Sequence, residues 1–333
     1  MNTTQNQLFK LTIFQPCYCI IHGYSLILRI RTSSLAGYTN FRMSTKVSII
    51  IPVYNSASYL PRCLESVTRQ SLEQIEIICV DDGSTDSSYE VLKEWAGRDN
   101  RIIVLQQSNG RQGKARNTAL AVARGEYIGM VDSDDYIPTD YFERLYNAAE
   151  QNNADIAVCG IVKEKRHRNK TVISYNREIV KEDTVSKLQS CNCPPDFHPV
   201  NKLYRRSMLE RLNLRFAENV QYEDVMFVLR AICESGRMVT VPGINYIYVH
   251  NPASTVKSRQ TSAKQQQKYI AHRSMVDYTT KKGIYIAEKH RNITVRYFSL
   301  FGICLWKIKE KDDRRTLRLF DFLPVWSWKR DER

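Results

Sequence analysis

The stretch Val47-Ser48-Ile49-Ile50-Ile51-Pro52-Val53 constrains the fold of this chain more than any other. A strand with one wet face alternates apolar and polar residues. A nearly continuous β-branched run needs apolar cover on both faces, as in the central strands of a parallel α/β sheet. Ile75–Val80 repeats the pattern, and Ile102–Leu105 and Tyr127–Val131 follow at similar intervals. Helical patterns fill the gaps. Tyr59–Thr68 places Leu60, Leu64 and Val67 on one face with Ser58 as its cap, Ser87–Trp95 comes next, and Gly113–Ala123 is alanine-rich. Strands alternating with helices predict a parallel sheet, and ligands of such sheets sit beyond the carboxyl ends of the strands.

Beyond this core the pattern predicts a helix over Thr139–Gln151, a strand over Asp155–Val162, helices over Leu203–Leu212 and Glu223–Ser235, and a strand over Asn245–Val249. Lys163–Lys170 reads as a solvated turn and Cys191–Pro199 as irregular chain. From about Ser258 onward the expectation is a mostly helical tail. It contains an internal echo: Leu300–Lys307 resembles Leu319–Trp326, each with Trp and Phe beside basic residues, which suits a membrane interface.

Composition narrows the class. With 43% apolar and 25% charged residues over 333 positions, the chain is neither disordered nor a disulfide scaffold. No uncharged apolar run reaches the length of about 18 residues that marks a spanning helix. The net charge of +14 is unevenly placed: residues 43–256 are nearly neutral at −1, and residues 257–333 carry +11. Charge lying outside the main body argues against a nucleic-acid reader and for a tail that touches an anionic membrane. Nine scattered cysteines suit a reducing compartment, and the Cys191/Cys193 pair lacks a second pair at zinc spacing. Residues 1–42 hold four basic residues and no acid; they read as a disordered arm or as sequence upstream of a start at Met43.

The candidate chemistry lies in acids at strand ends. The second strand ends in Asp81-Asp82-Gly83-Ser84 and the fourth in Asp132-Ser133-Asp134-Asp135, which sets five carboxylates on one sheet edge. They repel unless a positive group lies among them, and a hard divalent cation such as Mg²⁺ or Mn²⁺ takes oxygen ligands of this type. Asp132 and Asp134, two residues apart, can aim at one ion or at the ion and a sugar hydroxyl. Between the two clusters, Asn109–Asn117 carries glycines and the cations Lys114 and Arg116 into a helix start, a geometry that suits a phosphate. It matches neither the dinucleotide fingerprint nor the Walker loop. Glu223-Asp224 opens a later helix, where a carboxylate can deprotonate a hydroxyl or merely complement the helix dipole.

These segments, with Ala115-Arg116-Asn117 and Asn201-Lys202-Leu203-Tyr204, occur in an order that resembles the family 2 glycosyltransferases of GT-A fold that build bacterial surface polysaccharides. The resemblance covers roughly residues 45–256. It implies a Rossmann-like, mostly parallel sheet flanked by helices over residues 43–256, followed by the basic, aromatic extension over 257–333. It also implies an inverting transfer of a hexosyl or N-acetylhexosaminyl group from a nucleotide-sugar, by habit a UDP-sugar, to a glycan or lipid-linked acceptor. On this reading Pro52, Tyr54, Asn55, Asp81 and Asp82 hold the base and ribose, and Asp132 and Asp134 hold the cation and diphosphate. Asp224, ahead of Glu223, is the base; Lys114, Arg116 and His250 are weaker candidates for phosphate contact, His250 also for the cation. The family often has glycine where this chain has Ala119. The implied location is cytoplasmic, peripheral on the inner membrane face. A metal-dependent nucleotidyltransferase and a non-catalytic nucleotide-sugar binding protein are the alternatives.

Overall fold

The computed structural model describes residues 44–164, 169–194, 196–251 and 261–284 in full, and the backbone of five strands between residues 288 and 329. The first half alternates as expected: β1 (Val47–Val53), α1 (Leu60–Thr68), β2 (Ile75–Asp81), α2 (Ser88–Arg98), β3 (Ile102–Gln106), α3 (Arg111–Val122), β4 (Tyr127–Met130) and α4 (Tyr141–Gln151). The second half runs β5 (Ile156–Lys163), β6 (Lys170–Ile173), β7 (Ile179–Lys181), α5 (Thr184–Ser190), β8 (Lys202–Arg205), α6 (Arg206–Arg211), α7 (Asp224–Glu234) and β9 (Met238–Tyr248). After it come α8 (Ser262–Lys281), β10 (Glu288–His290), β11 (Ile293–Leu300), β12 (Ile303–Lys311), β13 (Arg314–Leu319) and β14 (Leu323–Lys329).

Nine strands form one sheet in the order β3-β2-β1-β4-β8-β5-β9-β7, with β6 beside β5. β3, β2, β1 and β4 are parallel, β8 enters antiparallel between β4 and β5, and β9 runs parallel to β5. All seven residues of β1 and of β2 are buried, so both faces of the sheet centre are covered. Pro52 is tolerated inside β1 because of register. The ladder with β4 closes at Ile50, whose carbonyl accepts from Val131, so the N–H that Pro52 lacks falls beyond the ladder. Four tyrosines are fully buried in the core: Tyr127, Tyr141, Tyr204 and Tyr246. Each hydroxyl finds an acceptor, in Glu150, the Val200 carbonyl, the Pro199 carbonyl and Asp135 respectively, which is what allows so polar a group inside.

Several expectations change. Tyr59, not Ser58, caps α1, and its side chain makes no capping bond. Lys202–Arg205 is a strand rather than a helix start; an apolar pair inside four residues fits either period. Among the described residues of the tail, helix is confined to α8. Beyond it, β10 to β14 form a five-stranded antiparallel sheet in sequential order. Its strands are rich in β-branched and aromatic residues alternating with charged ones, as in Ile293-Thr294-Val295-Arg296-Tyr297, a period of two that a helix cannot use. The echo noted above spans the β11–β12 and β13–β14 connections, so it marks two hairpins. Among the described residues no helix is long and apolar enough to cross a membrane. Cys191 and Cys193 are free and buried. The expectation for residues 1–42 lies outside the described residues.

Candidate active site

The carboxyl ends of β1, β2 and β4 share one edge of the sheet, and the two acid clusters leave from there. In the first cluster Asp81 is buried, and its carboxylate accepts from Gln106 at 3.1 Å. Asp82, also buried, accepts from Gln107 at 2.7 Å and from the Gly110 amide at 2.9 Å. Asp82 thus fixes the loop that leads into α3. The turn between them needs Gly83, which adopts φ +72°; a β-carbon there would lie 3.0 Å from the Asn109 nitrogen. Tyr54 is 48% exposed at the end of β1, an open aromatic face beside these acids. Asn55 takes φ +47°, and its side-chain oxygen accepts from the Thr85 amide at 2.8 Å.

In the second cluster Tyr246 of β9 is the anchor. Its hydroxyl donates to Asp135 at 2.7 Å and accepts from the Asp132 amide at 3.1 Å. Asp135 also accepts from the Val249 amide at 2.7 Å; it is buried, and burial followed by the charges of Asp132 and Asp134 holds its pKa well above the carboxylate range. Asp135 is therefore a strut of the loop. Asp134 accepts from Asn251 at 2.9 Å, and burial and Asp132 raise its pKa too. The expectation for His250 fares differently. It is exposed beyond β9, and its neighbour Asn251 is the residue that reaches Asp134. Among the described residues no trio of His, Cys, Asp or Glu is close enough to hold an ion alone. The donor set that remains, Asp132 and Asp134 on one short loop with their charges in conflict, fits a cation bound by one or two carboxylates and completed by phosphate oxygens.

Arg116, a weaker candidate for phosphate contact, is 2% exposed and bridges two acids. Nη2 donates to Asp132 at 2.8 Å and Nη1 to Glu223 at 2.9 Å. Its Nε has no hydrogen-bond partner, and its guanidinium lies 5.2 Å from the Phe216 ring. Phe216 stacks on Phe227 at 3.9 Å, so the arginine packs against an aromatic pair. Fixed in this way, it supplies the positive charge that the acid loop requires. Lys114, part-buried, folds over Gly110 at the start of α3.

Glu223 and Asp224 open α7. The preceding chain takes left-handed backbone at Asn213, Asn219 and Tyr222, strain that is held by anchors on α3. Asn117 donates to the Phe216 carbonyl at 3.0 Å and accepts from the Phe216 amide at 2.9 Å. Gly113 comes so near that a β-carbon would meet the Ala217 oxygen at 2.1 Å. Asp224 is half-buried with its pKa pushed up to about 7, by burial first and then by Glu223, against the pull of Arg116.

Three residues of this neighbourhood are absent from the sequence-based set: Tyr246, Asn251 and His198. Burial, then Lys202, lowers His198 to about 4, and Asp132 is close enough to act on it electrostatically. Buried Lys202 donates to the His198 carbonyl at 2.7 Å and to Asn201 at 2.8 Å, and Asn201 donates to the Cys159 carbonyl at 2.7 Å. The Asn201-Lys202 motif is thus the clamp that sets the 198 loop against the acids. Only its motif spacing pointed there; His198 itself left no signal.

The profile of the Glycosyl transferase family 2 matches residues 48–212, which hold β1 to β8 and both acid clusters. The glycosyltransferase EpsJ of Bacillus subtilis is 41% identical over 213 residues, 62% of each chain. The poly(ribitol-phosphate) beta-glucosyltransferase of Bacillus spizizenii is 32% identical over 61% of this chain and 32% of its own length. The chain therefore spans less than two thirds of these relatives. Residues 1–349 of S. aureus TarS, solved with UDP-GlcNAc, superpose with a TM-score of 0.62 at 25% identity, covering 70% of this chain and 66% of that one. Residues 48–212 of this chain thus form a family 2 glycosyltransferase domain of bacterial polysaccharide type, on a sheet of GT-A fold.

Proposed function

We propose that this protein transfers a sugar, with inversion, from a nucleoside-diphosphate donor to a hydroxyl of a glycan or lipid-linked acceptor during surface-polysaccharide synthesis. One observation carries the reading. Asp224, with a pKa near 7, sits on the helix start that Glu223 and Arg116 tie to the Asp132 loop. A base poised at working pH beside a diphosphate-binding loop is what activation of an acceptor hydroxyl requires. The donor is assigned to the uridine series because TarS, the structural neighbour, was solved with UDP-GlcNAc and with UDP.

In this scheme Tyr54 stacks on the base, and Asp81 and Asp82 shape the ribose pocket. Asp132 and Asp134 would hold a divalent cation, which when bound supplies charge stabilisation to the leaving diphosphate. Asp224 takes the proton of the acceptor hydroxyl. The acceptor oxygen attacks the anomeric carbon from the face opposite the diphosphate, the new C–O bond forms, and the bond to the diphosphate oxygen breaks. Arg116 keeps Asp132 and Glu223 in place throughout. The proposed setting is the inner face of the membrane, where lipid-linked acceptors are built.

A thermal-shift matrix on the full chain tests this, crossing UDP, GDP and CMP with Mn²⁺, Mg²⁺ and chelator. The expected result is a rise with UDP that needs cation and vanishes in Asp132→Ala. A ligand at about a hundred times its Kd stabilises by roughly 2.7 kcal/mol, well within detection. A flat response to all three nucleotides would overturn the assignment.

A further inference from the structure

The register of the C-terminal sheet sorts its residues in a way that the sequence alone conceals. Directly paired residues in an antiparallel sheet share a face. Lys307 pairs Arg318 and Lys311 pairs Arg314 between β12 and β13, while Arg314 pairs Lys329 between β13 and β14. With Lys309, opposite Thr316, this puts six cations on one face: Lys307, Lys309 and Lys311 on β12, Arg314 and Arg318 on β13, and Lys329 on β14. The same face holds one acid within the strands, Glu288, through its pairing with Val295. The opposite face takes Phe298 paired with Trp306, Ile308 paired with Leu317, and Leu317 paired with Trp326, while Ile293, Val295 and Tyr297 of β11 lie beside the cations through their pairing with Lys311, Lys309 and Lys307. Asp312 and Asp313 fall between β12 and β13, outside the described residues.

Six cations against one acid cannot be buried without compensation, because each unpaired charge taken from water costs several kcal/mol. That face must meet water or an anionic partner. The shape of the array chooses the partner. Neighbouring strands lie about 4.8 Å apart, and residues two apart along a strand are separated by about 6.8 Å, so the cations tile a plane three strands wide. A linear polyanion follows one row of such a grid, whereas a planar anionic surface engages all of it. We infer that the cationic face of this sheet docks the protein flat on an anionic lipid bilayer. The basis is independent of the donor and acceptor proposed above, and the test below does not use activity.

Sedimentation of the full chain with phosphatidylcholine vesicles, with and without phosphatidylglycerol, tests the inference. Binding is expected only with the anionic lipid. It should be lost near 1 M salt, where the Debye length is about 3 Å. Each cation near a charged surface contributes about fivefold, so K307Q/K309Q/K311Q is expected to weaken partitioning about a hundredfold. The control triple K289Q/R296Q/R315Q removes the same charge from the opposite face, since Lys289 pairs Thr294, Arg296 pairs Ile308 and Arg315 pairs Glu310. It is expected to leave partitioning within a few fold, with circular-dichroism melts confirming that both variants fold. Equal loss in both triples would show that net charge and not this face binds, and would overturn the inference. So would absence of binding to anionic vesicles. Stronger binding to soluble inorganic polyphosphate, abolished by the first triple alone, would reassign the face to a linear polyanion and equally overturn it.

Discussion

The guanidinium of Arg116 donates to Asp132 at 2.8 Å from a position that is almost wholly buried. Asp132 belongs to the loop after β4, and Glu223, on the other arm of the same guanidinium, caps α7. Ninety residues of chain separate the two acids, yet one side chain sets their spacing. The loop proposed to hold the diphosphate and the helix proposed to hold the base are therefore a single mechanical unit.

Removing that bridge should be costly. Arg116→Ala leaves two part-buried carboxylates facing each other without a counter-charge, and a loss of about 3–5 kcal/mol is expected. Arg116→Lys keeps the charge but not the planar fork, so it can hold one acid well and the other poorly. It should fold, recover part of the stability, and still show weakened nucleotide binding. Urea melts of the two variants, with UDP titrations on the lysine form, check both statements.

Asp224 predicts a pH profile. Its pKa is raised to about 7 from an ordinary 3.8. As a base it works when ionised, so kcat/KM should climb about tenfold per pH unit below 7 and level off above it. Asp224→Asn should lower kcat about 100- to 10,000-fold while leaving UDP affinity intact. Stability runs the other way. The folded chain holds this proton more tightly than the unfolded one, so the group's contribution is full below about pH 4 and is lost as pH rises through 7. Asp224→Asn escapes that loss, and its melting point should exceed that of the parent at pH 8 but not at pH 4.

Much of this arrangement was legible beforehand because period and punctuation agree in the first half. The runs at Val47–Val53 and Ile75–Val80 have one physical solution, and the acids that follow them mark the strand ends. Asp132 could be named for that reason, whereas Asp224, which opens a helix, was named only through the family resemblance. What escaped depends on distance along the chain. Nothing local to Arg116 shows that its partners are acids 16 and 107 residues away. Nothing near Tyr246 shows that its hydroxyl serves Asp135, 111 residues earlier. The strand Lys202–Arg205 was read as helix because four residues are too few to display a period. In the tail, a high density of basic residues drew attention from the alternation that makes β11 to β14 strands.

Tyr246→Phe isolates the strut of the acid loop. The ring is fully buried and remains; only the hydroxyl that serves Asp135 and the Asp132 amide is lost. Leaving a buried carboxylate short of a donor costs about 1–3 kcal/mol. The loop that carries Asp132 and Asp134 should loosen, and cation-dependent UDP affinity should fall about tenfold, the usual scale when a partner behind a metal ligand is removed. Isothermal titration with Mn²⁺ present and absent separates the two effects: the cation-independent part of binding should not change.

Gly113→Ala tests whether the base is placed by packing against α3. The added β-carbon would lie 2.1 Å from the Ala217 carbonyl oxygen and 3.2 Å from the Glu223 side chain. The first contact is with backbone and cannot be relieved by a rotamer change, so the segment before α7 must move. Helix propensity favours alanine over glycine by about 1 kcal/mol, whereas overpacking costs about 1–3 kcal/mol. The net effect on stability should be small, yet the shift is delivered straight to Glu223 and Asp224. The expected signature is a kcat reduced about 100-fold, the scale of a misplacement near 1 Å, with a much smaller loss of nucleotide affinity, because Asp81, Asp82 and Tyr54 lie on other elements and only the Asp132 loop feels the shift through Arg116. A variant with parental kcat would show that this segment accommodates the methyl group, and that Gly113 does not set the position of the base.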